Sequence, residues 1–186
     1  MKRPDHTGLA LAFLLTASCT GDPTKSAAVP VAQPADSAKS NPGSNMISDD
    51  IRAITSYHNK VRADVGVGPL QWSGDLAGYA QQWASHLAAT TCSMAHRTQQ
   101  KYGENLFQGT AGYYTAVDAA KTWENEKKNY SGGILTEANW QPAGHYTQMV
   151  WRDTTTLGCG QSTCGQTVIV VCNYAPPGNY LGRRPY

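Results

Sequence analysis

Three stretches of the chain keep apolar residues three and four apart, and the last third switches to a denser, β-branched and aromatic pattern. Ser48, followed by Asp49 and Asp50, predicts a helix start, with Ile51, Ile54, Val61 and Val65 on one side and Gly66, Gly68 and Pro69 ending it. A second helix is expected from Ser73, its stripe being Leu76, Tyr79, Ala80, Trp83 and Leu87. A third runs from Thr115 to Asn129, with Ala116, Ala119, Ala120, Trp123 and Tyr130 together. His145 to Trp151 and Thr167 to Tyr174 flank a Gly-rich segment and predict paired strands. Helices first and strands last imply an α+β fold layered around a small antiparallel sheet.

The N-terminal pattern is of another kind. Lys2 and Arg3 precede an apolar run from Leu9 to Ala17. That is the length of a signal-peptide core and too short to span a bilayer. The run ends in Leu15-Thr16-Ala17-Ser18-Cys19, which resembles a bacterial lipoprotein processing site, so residues 1–18 read as a leader and Cys19 as the lipidated residue. Residues 19–46 are rich in Ala, Ser, Pro and Asn, with few large apolar side chains to offset the entropy of ordering, and read as a tether. The folded domain is expected at 47–186. Export follows, either membrane-anchored at the cell envelope or secreted, with membrane contact through Cys19 alone.

Charge and cysteine content sharpen this. The chain carries 15 basic and 13 acidic residues; removing Lys2, Arg3 and Asp5 with the leader leaves 13 and 12, a net charge of +1. That is no electrostatic footprint for nucleic acid. Of five cysteines, Cys19 is assigned to lipidation, and Cys92, Cys159, Cys164 and Cys172 remain, read as two disulfides in an oxidising compartment.

Candidate chemistry begins with Glu126. On a helical wheel with Trp123 at zero, Tyr130 falls near −20°, Ala119 near −40° and Glu126 near −60°, so this carboxylate lies within the apolar stripe; Lys127, at about 40°, does too. Glu124, at about 100°, belongs to the flank and reads as a solvated charge. A core-facing carboxylate needs a partner. Histidine is the natural one, and His58, His86, His96 and His145 follow the leader.

Gly144-His145-Tyr146-Thr147-Gln148-Met149-Val150-Trp151, then Leu157-Gly158-Cys159-Gly160, then Cys172-Asn173-Tyr174 with Pro176, Gly178 and Asn179, resemble in order the C-terminal motifs of the CAP family. That family is typified by plant pathogenesis-related proteins and cysteine-rich secretory proteins. His58-Asn59 with Arg62, Pro69-Leu70 with Trp72, and Tyr102-Gly103-Glu104-Asn105-Leu106 are similar to its upstream blocks, so the likeness covers 47–186. With Cys19, the chain looks like a lipoprotein-type member.

The resemblance implies a three-layer α-β-α sandwich, the disulfides Cys92–Cys159 and Cys164–Cys172, and a cleft shared by His96, Glu104, Glu126 and His145. Such a tetrad would hold Zn²⁺ or another divalent cation, with the histidines as direct ligands. The resemblance also implies a lipid, sterol or other small apolar ligand, or an extracellular partner. The enzymatic alternative is a metal-assisted hydrolase in which Glu104 or Glu126 is the general base. A third reading makes the tetrad purely structural. His58, Asn59, Trp72 and Trp151 are expected to be structural. The tail Pro176–Tyr186 resembles a segment that plant relatives release, but Ala175 stands where they carry aspartate, so a packed tail is expected.

Overall fold

A computed structural model describes residues 44–186. The leader, Cys19 and the tether up to residue 43 lie outside the described residues. Ser44 and Met46 are already buried, and Ser44 donates from its hydroxyl to the Cys159 carbonyl at 2.9 Å, so ordered packing begins before residue 47.

Helix α1 spans Ser48–Ala63, β1 Gln71–Trp72, α2 Gly74–Thr90, β2 Gly103–Thr110 and α3 Ala116–Glu124. A 3-10 turn, Asn125–Asn129, continues α3; then come α4 (Glu137–Trp140), a 3-10 turn at Gln141–Ala143, α5 (Gly144–Met149), β3 (Thr156–Cys164) and β4 (Thr167–Ala175). Ser48 is the first helical residue of α1 rather than its cap, which is Ile47, and Asp49 and Asp50 occupy the first turn, where the helix dipole favours them. Ser73 caps α2 as expected, accepting from the Leu76 N–H. Thr115 and Asp118 form a capping box at α3.

The strand order is β1-β3-β4-β2, with β1 parallel to β3 and the other pairs antiparallel. Alternation along β4 builds the layers. Ile169 and Val171 meet Leu106 of β2 and Ala80, Ala84 and Leu87 of α2 on one face. Val168, Val170, Cys172 and Tyr174 meet α1, α3 and α5 on the other. The result is the expected α-β-α sandwich.

Two expected elements differ. His145–Trp151 is not a strand: Gly144–Met149 is a short helix, and Tyr146, Thr147, Gln148, Met149, Val150 and Trp151 are all buried, so no polar face marks the helical period. The Gly-rich segment is itself a strand, β3, pressed against α2. A Cβ on Gly158 would lie 2.2 Å from the Ala77 nitrogen, and one on Gly160 would lie 2.5 Å from the Gln81 Cα. Glycine is what allows that approach. Strand β2 was not anticipated either, since its first residues, Gly103, Glu104 and Asn105, carry little strand propensity.

The disulfides also differ from expectation. Cys92 pairs with Cys164 and Cys159 with Cys172, in place of Cys92–Cys159 and Cys164–Cys172. Register is the reason. Cys159 stands directly opposite Cys172, whereas Cys164 stands opposite Thr167, five residues and so roughly 17 Å along β4 from Cys172. That separation is beyond the reach of a disulfide. Cys164 instead closes onto the turn after α2, with a Cα–Cα distance of 5.9 Å to Cys92.

The C-terminal tail is tied in. Arg152 donates its N–H to the Pro185 carbonyl at 2.7 Å, Leu135 to the Arg183 carbonyl at 2.9 Å and Gly178 to Gln148 Oε1 at 2.9 Å. These bonds fit the expected packed tail.

Two outcomes are expected. A Cys92→Ser plus Cys164→Ser chain should show no free thiol among the domain cysteines, while Cys92→Ser plus Cys159→Ser should expose two in a thiol titration; the reverse pattern overturns this pairing. Gly158→Ala should cost about 2 kcal/mol or more and lower Tm by roughly 6 °C in a thermal melt, because the new methyl meets helix backbone.

Candidate functional site

Each predicted acid sits behind a histidine. Glu104, near the start of β2, accepts from His96 Nδ1 on Oε1 at 2.9 Å and from the Arg97 N–H at 3.1 Å. Glu126, in the 3-10 turn, meets His145 Nδ1 through Oε1 at 2.6 Å. Its Oε2 accepts the N–H groups of His145 and Tyr146 at 2.9 and 3.2 Å, at the first turn of α5.

The two pairs come from opposite faces of the sheet. Glu104 alternates with Asn105, so it shares the face of Leu106 and α2, while Asn105 points to the other side and donates to the His145 carbonyl at 3.1 Å. They meet at the free edge of β2. A cleft of roughly 640 Å³ there is lined by His96, Gly103, Glu104, Asn105 and His145, with Trp140 and Tyr180 on its rim and no serine, cysteine or threonine. Glu126 supports His145 from behind and does not line it.

Burial is uneven. The Glu104 side chain is 0% exposed and its His96 partner 53%, against 25% and 35% for Glu126 and His145. Burial pushes the Glu104 carboxyl up, but hydrogen bonds from His96, the Arg97 N–H and Asn173 outweigh it and hold the group below its ordinary range.

The donors fit a divalent cation in kind. With both Nδ1 atoms engaged by carboxylates, Nε2 of each imidazole is the remaining ligand atom, and a carboxylate behind a ligating histidine fixes its ring and raises its basicity. The fit is sparse in number: among the described residues no group of three or more His, Cys, Asp or Glu side chains is arranged to hold a metal ion. Two imidazoles and water would complete such a shell.

Behind the cleft runs a buried polar chain. His58 is 0% exposed, its Nδ1 2.8 Å from the Ile54 carbonyl and its Nε2 2.9 Å from the Tyr174 hydroxyl. Asn105 donates to that hydroxyl and to the His145 carbonyl. Burial, reinforced by the Arg62 charge and only partly opposed by the Ile54 carbonyl, pushes the His58 imidazole down to about 4. Trp123 lies between His58 and His145, with ring centroids 6.2 and 6.1 Å away. Asn59 exchanges two hydrogen bonds with the Leu70 backbone. His58 and Asn59 are thus structural, as expected, and Trp151 is core while Trp72 is half-buried.

Some contributors were not anticipated. Lys127 turns to solvent, whereas Glu124 accepts a hydrogen bond from the Tyr57 hydroxyl and is no simple solvated charge. Asn179, at φ 61°, accepts from the Thr147 hydroxyl at 2.7 Å and donates to the Gly144 carbonyl at 2.8 Å, bracing α5. Asparagine in a Pro-Gly-Asn run is the turn signal that locates it.

A three-layer sandwich with two carboxylate-braced histidines at one sheet edge defines the class of protein. Residues 55–174 match the cysteine-rich secretory protein family, CAP, and the chain belongs to that family. Pathogenesis-related protein 1A of Nicotiana tabacum is 48% identical over 148 residues, 76% of this chain and 87% of that protein. Among solved structures, BmVAL-1 superposes with a TM-score of 0.67 at 27% identity, covering 80% of this chain and 86% of its own. Na-ASP-1 superposes with the same score at 26% identity over 78% of this chain, but this chain spans only 43% of its length.

His58 sets an acid limit. An unfolded histidine takes its proton near pH 6.5 and the folded one only near 4, so stability should fall by up to about 3 kcal/mol as pH drops through that window. Glu104, held below its ordinary value of 4.5, adds a further loss only below that pH, as it protonates. Urea melts between pH 7 and pH 4.5 should show the slope, and His58→Gln should flatten it; an unchanged slope in that variant overturns the assignment.

Proposed function

We propose that this is an exported ligand-binding domain whose cleft takes a divalent cation between His96 and His145, with water completing the shell. The observation that carries the reading is the matched orientation of the two histidines, each with Nδ1 on a carboxylate and each lining one cleft. Among the described residues no helix is long and apolar enough to cross a membrane. Export and anchoring rest on the leader and on lipidation at Cys19.

A hydrolytic role fits less well. A general base must face the cleft, but Glu126 stands behind His145, outside the cleft lining, and both its oxygens already accept hydrogen bonds there. Glu104 is likewise engaged by His96, Arg97, Gln100 and Asn173. Both acids are placed to orient imidazoles rather than to activate water. A second ligand, small and apolar, sterol or lipid, is favoured by the exposed rim, where Trp140 and Tyr180 border the cleft and Leu181, 50% exposed, follows Tyr180 in the chain.

Calorimetric titration with Zn²⁺ tests the cation. The wild-type chain should bind, His96→Ala plus His145→Ala should not, and Glu104→Gln or Glu126→Gln should weaken binding by about 10- to 100-fold. Equal affinity in the wild type and the double alanine variant overturns the reading and leaves the histidine–glutamate pairs as structural ties.

A further inference from the structure

The segment from residue 91 to 102 has no helix or strand, yet it delivers His96 to the cleft. It is attached on both sides of that histidine. Cys92 is bonded to Cys164, and Trp83 donates its indole N–H to the Ala95 carbonyl at 2.8 Å, one residue before His96. Arg97 follows directly after. Its backbone N–H goes to Glu104 Oε1, the oxygen that also meets His96 Nδ1.

The Arg97 side chain turns the opposite way. Its guanidinium carbon lies 3.9 Å from the Tyr79 ring centroid and 4.9 Å from that of Trp83, and Nη2 donates to the Tyr79 carbonyl at 2.8 Å. Nε is buried without a partner. Among the described residues its side chain has no ion pair, so two ring faces and one carbonyl balance the charge. Tyr102 packs edge-on against Tyr79 at 5.1 Å and His86 stacks on Trp83 at 4.8 Å, holding both rings in place.

A cation that only covered apolar surface would not need a directed hydrogen bond to a helix carbonyl. The geometry instead fixes the main chain within one residue of His96. Tyr79 and Trp83 lie on the stripe of α2, but both are half-buried, while the fully buried face of that helix is Leu76, Ala77, Ala80, Ala84 and Leu87. Tyr79 meets Tyr102 and the Arg97 guanidinium of the loop, and Trp83 reaches the loop through its indole N–H while packing against the core between α2 and the sheet.

We propose that Arg97 is a positioning residue: clamped between Tyr79 and Trp83, it holds the loop so that His96 Nδ1 engages Glu104 and Nε2 is left for a ligand. Nothing in this role requires Arg97 to touch that ligand. Only its consequence for cation affinity rests on the binding reading above.

The test uses the full-length chain, with the hydrogen-bonded imidazole N–H signals of His96 and His145 followed by ¹⁵N NMR and Zn²⁺ affinity by calorimetry. Arg97→Ala should lose or broaden the His96 signal, leave the His145 signal in place and weaken Zn²⁺ binding about tenfold. Arg97→Lys, which restores a cation over Tyr79, should recover the His96 signal in part. Should Arg97→Ala fail to fold, Trp83→Phe removes the bond to Ala95 while keeping a ring, and the His96 signal should shift. An unchanged His96 signal in these variants, or equal loss of both histidine signals, overturns the proposal. If the wild type binds no Zn²⁺, the cation reading fails while the His96 signal still decides the clamp.

Discussion

Arg62 is a full positive charge sealed inside the protein, 1% exposed, and the arrangement around it follows from the need to solvate it. No carboxylate meets it among the described residues. Four of its five donors are matched by backbone carbonyls: Nε to Gly68 at 2.6 Å, Nη1 to Met149 and Trp151 at 3.0 and 2.9 Å, and Nη2 to Thr154 at 2.9 Å. A buried guanidinium left without these acceptors would carry a desolvation cost of several kcal/mol. The carbonyls therefore have to stay where they are. Gly68 follows α1, Met149 closes α5, and Trp151 and Thr154 lie between α5 and β3, so one side chain ties the first helix to the exit of the site helix. Burial lowers the guanidinium to about 10, which still leaves it charged at neutral pH.

His58 lies one helical turn before Arg62 and extends the same logic to the cleft. Its two ring nitrogens are both used, and the line from the Ile54 carbonyl through His58, Tyr174 and Asn105 ends on the His145 carbonyl. Low dielectric strengthens each link and penalises any gap. His145 is thus fixed at its main chain by Asn105, at its ring by Glu126, and at its helix by Asn179. Its position is a property of the core.

What could be read along the chain follows from where periodicity survives. The helices α1, α2 and α3 have one wet face, so their stripes were visible, and Glu126 was drawn from its place next to Trp123. The α5 helix has no wet face through Tyr146 to Met149, and its burial imitates a strand. In β3 the opposite happened: Gly158 and Gly160 are demanded by contact with α2, and they erase the β-branched signal that marks a strand. Four cysteines allow three pairings, and only the register of Cys159 on Cys172 selects among them. The apolar pattern predicts the third helix through to Asn129, but its last turn tightens after Glu124, and Glu126 reaches the α5 N–H groups from that 3-10 turn.

The two halves of the site are built with different rigidity, and this bears on what the cleft can do. His145 stands on a braced helix, while His96 is half-exposed on a loop without regular structure, held by a disulfide, an indole N–H and a stacked guanidinium. Catalysis needs reacting groups fixed to fractions of an ångström, and a free base to move a proton. Here both carboxylates hydrogen-bond a histidine ring, and one of those histidines sits on a loop beside a stacked guanidinium. On the binding reading proposed above, a ligand bridging His96 and His145 would join a rigid half to an adjustable one, and the binding energy itself would complete the alignment.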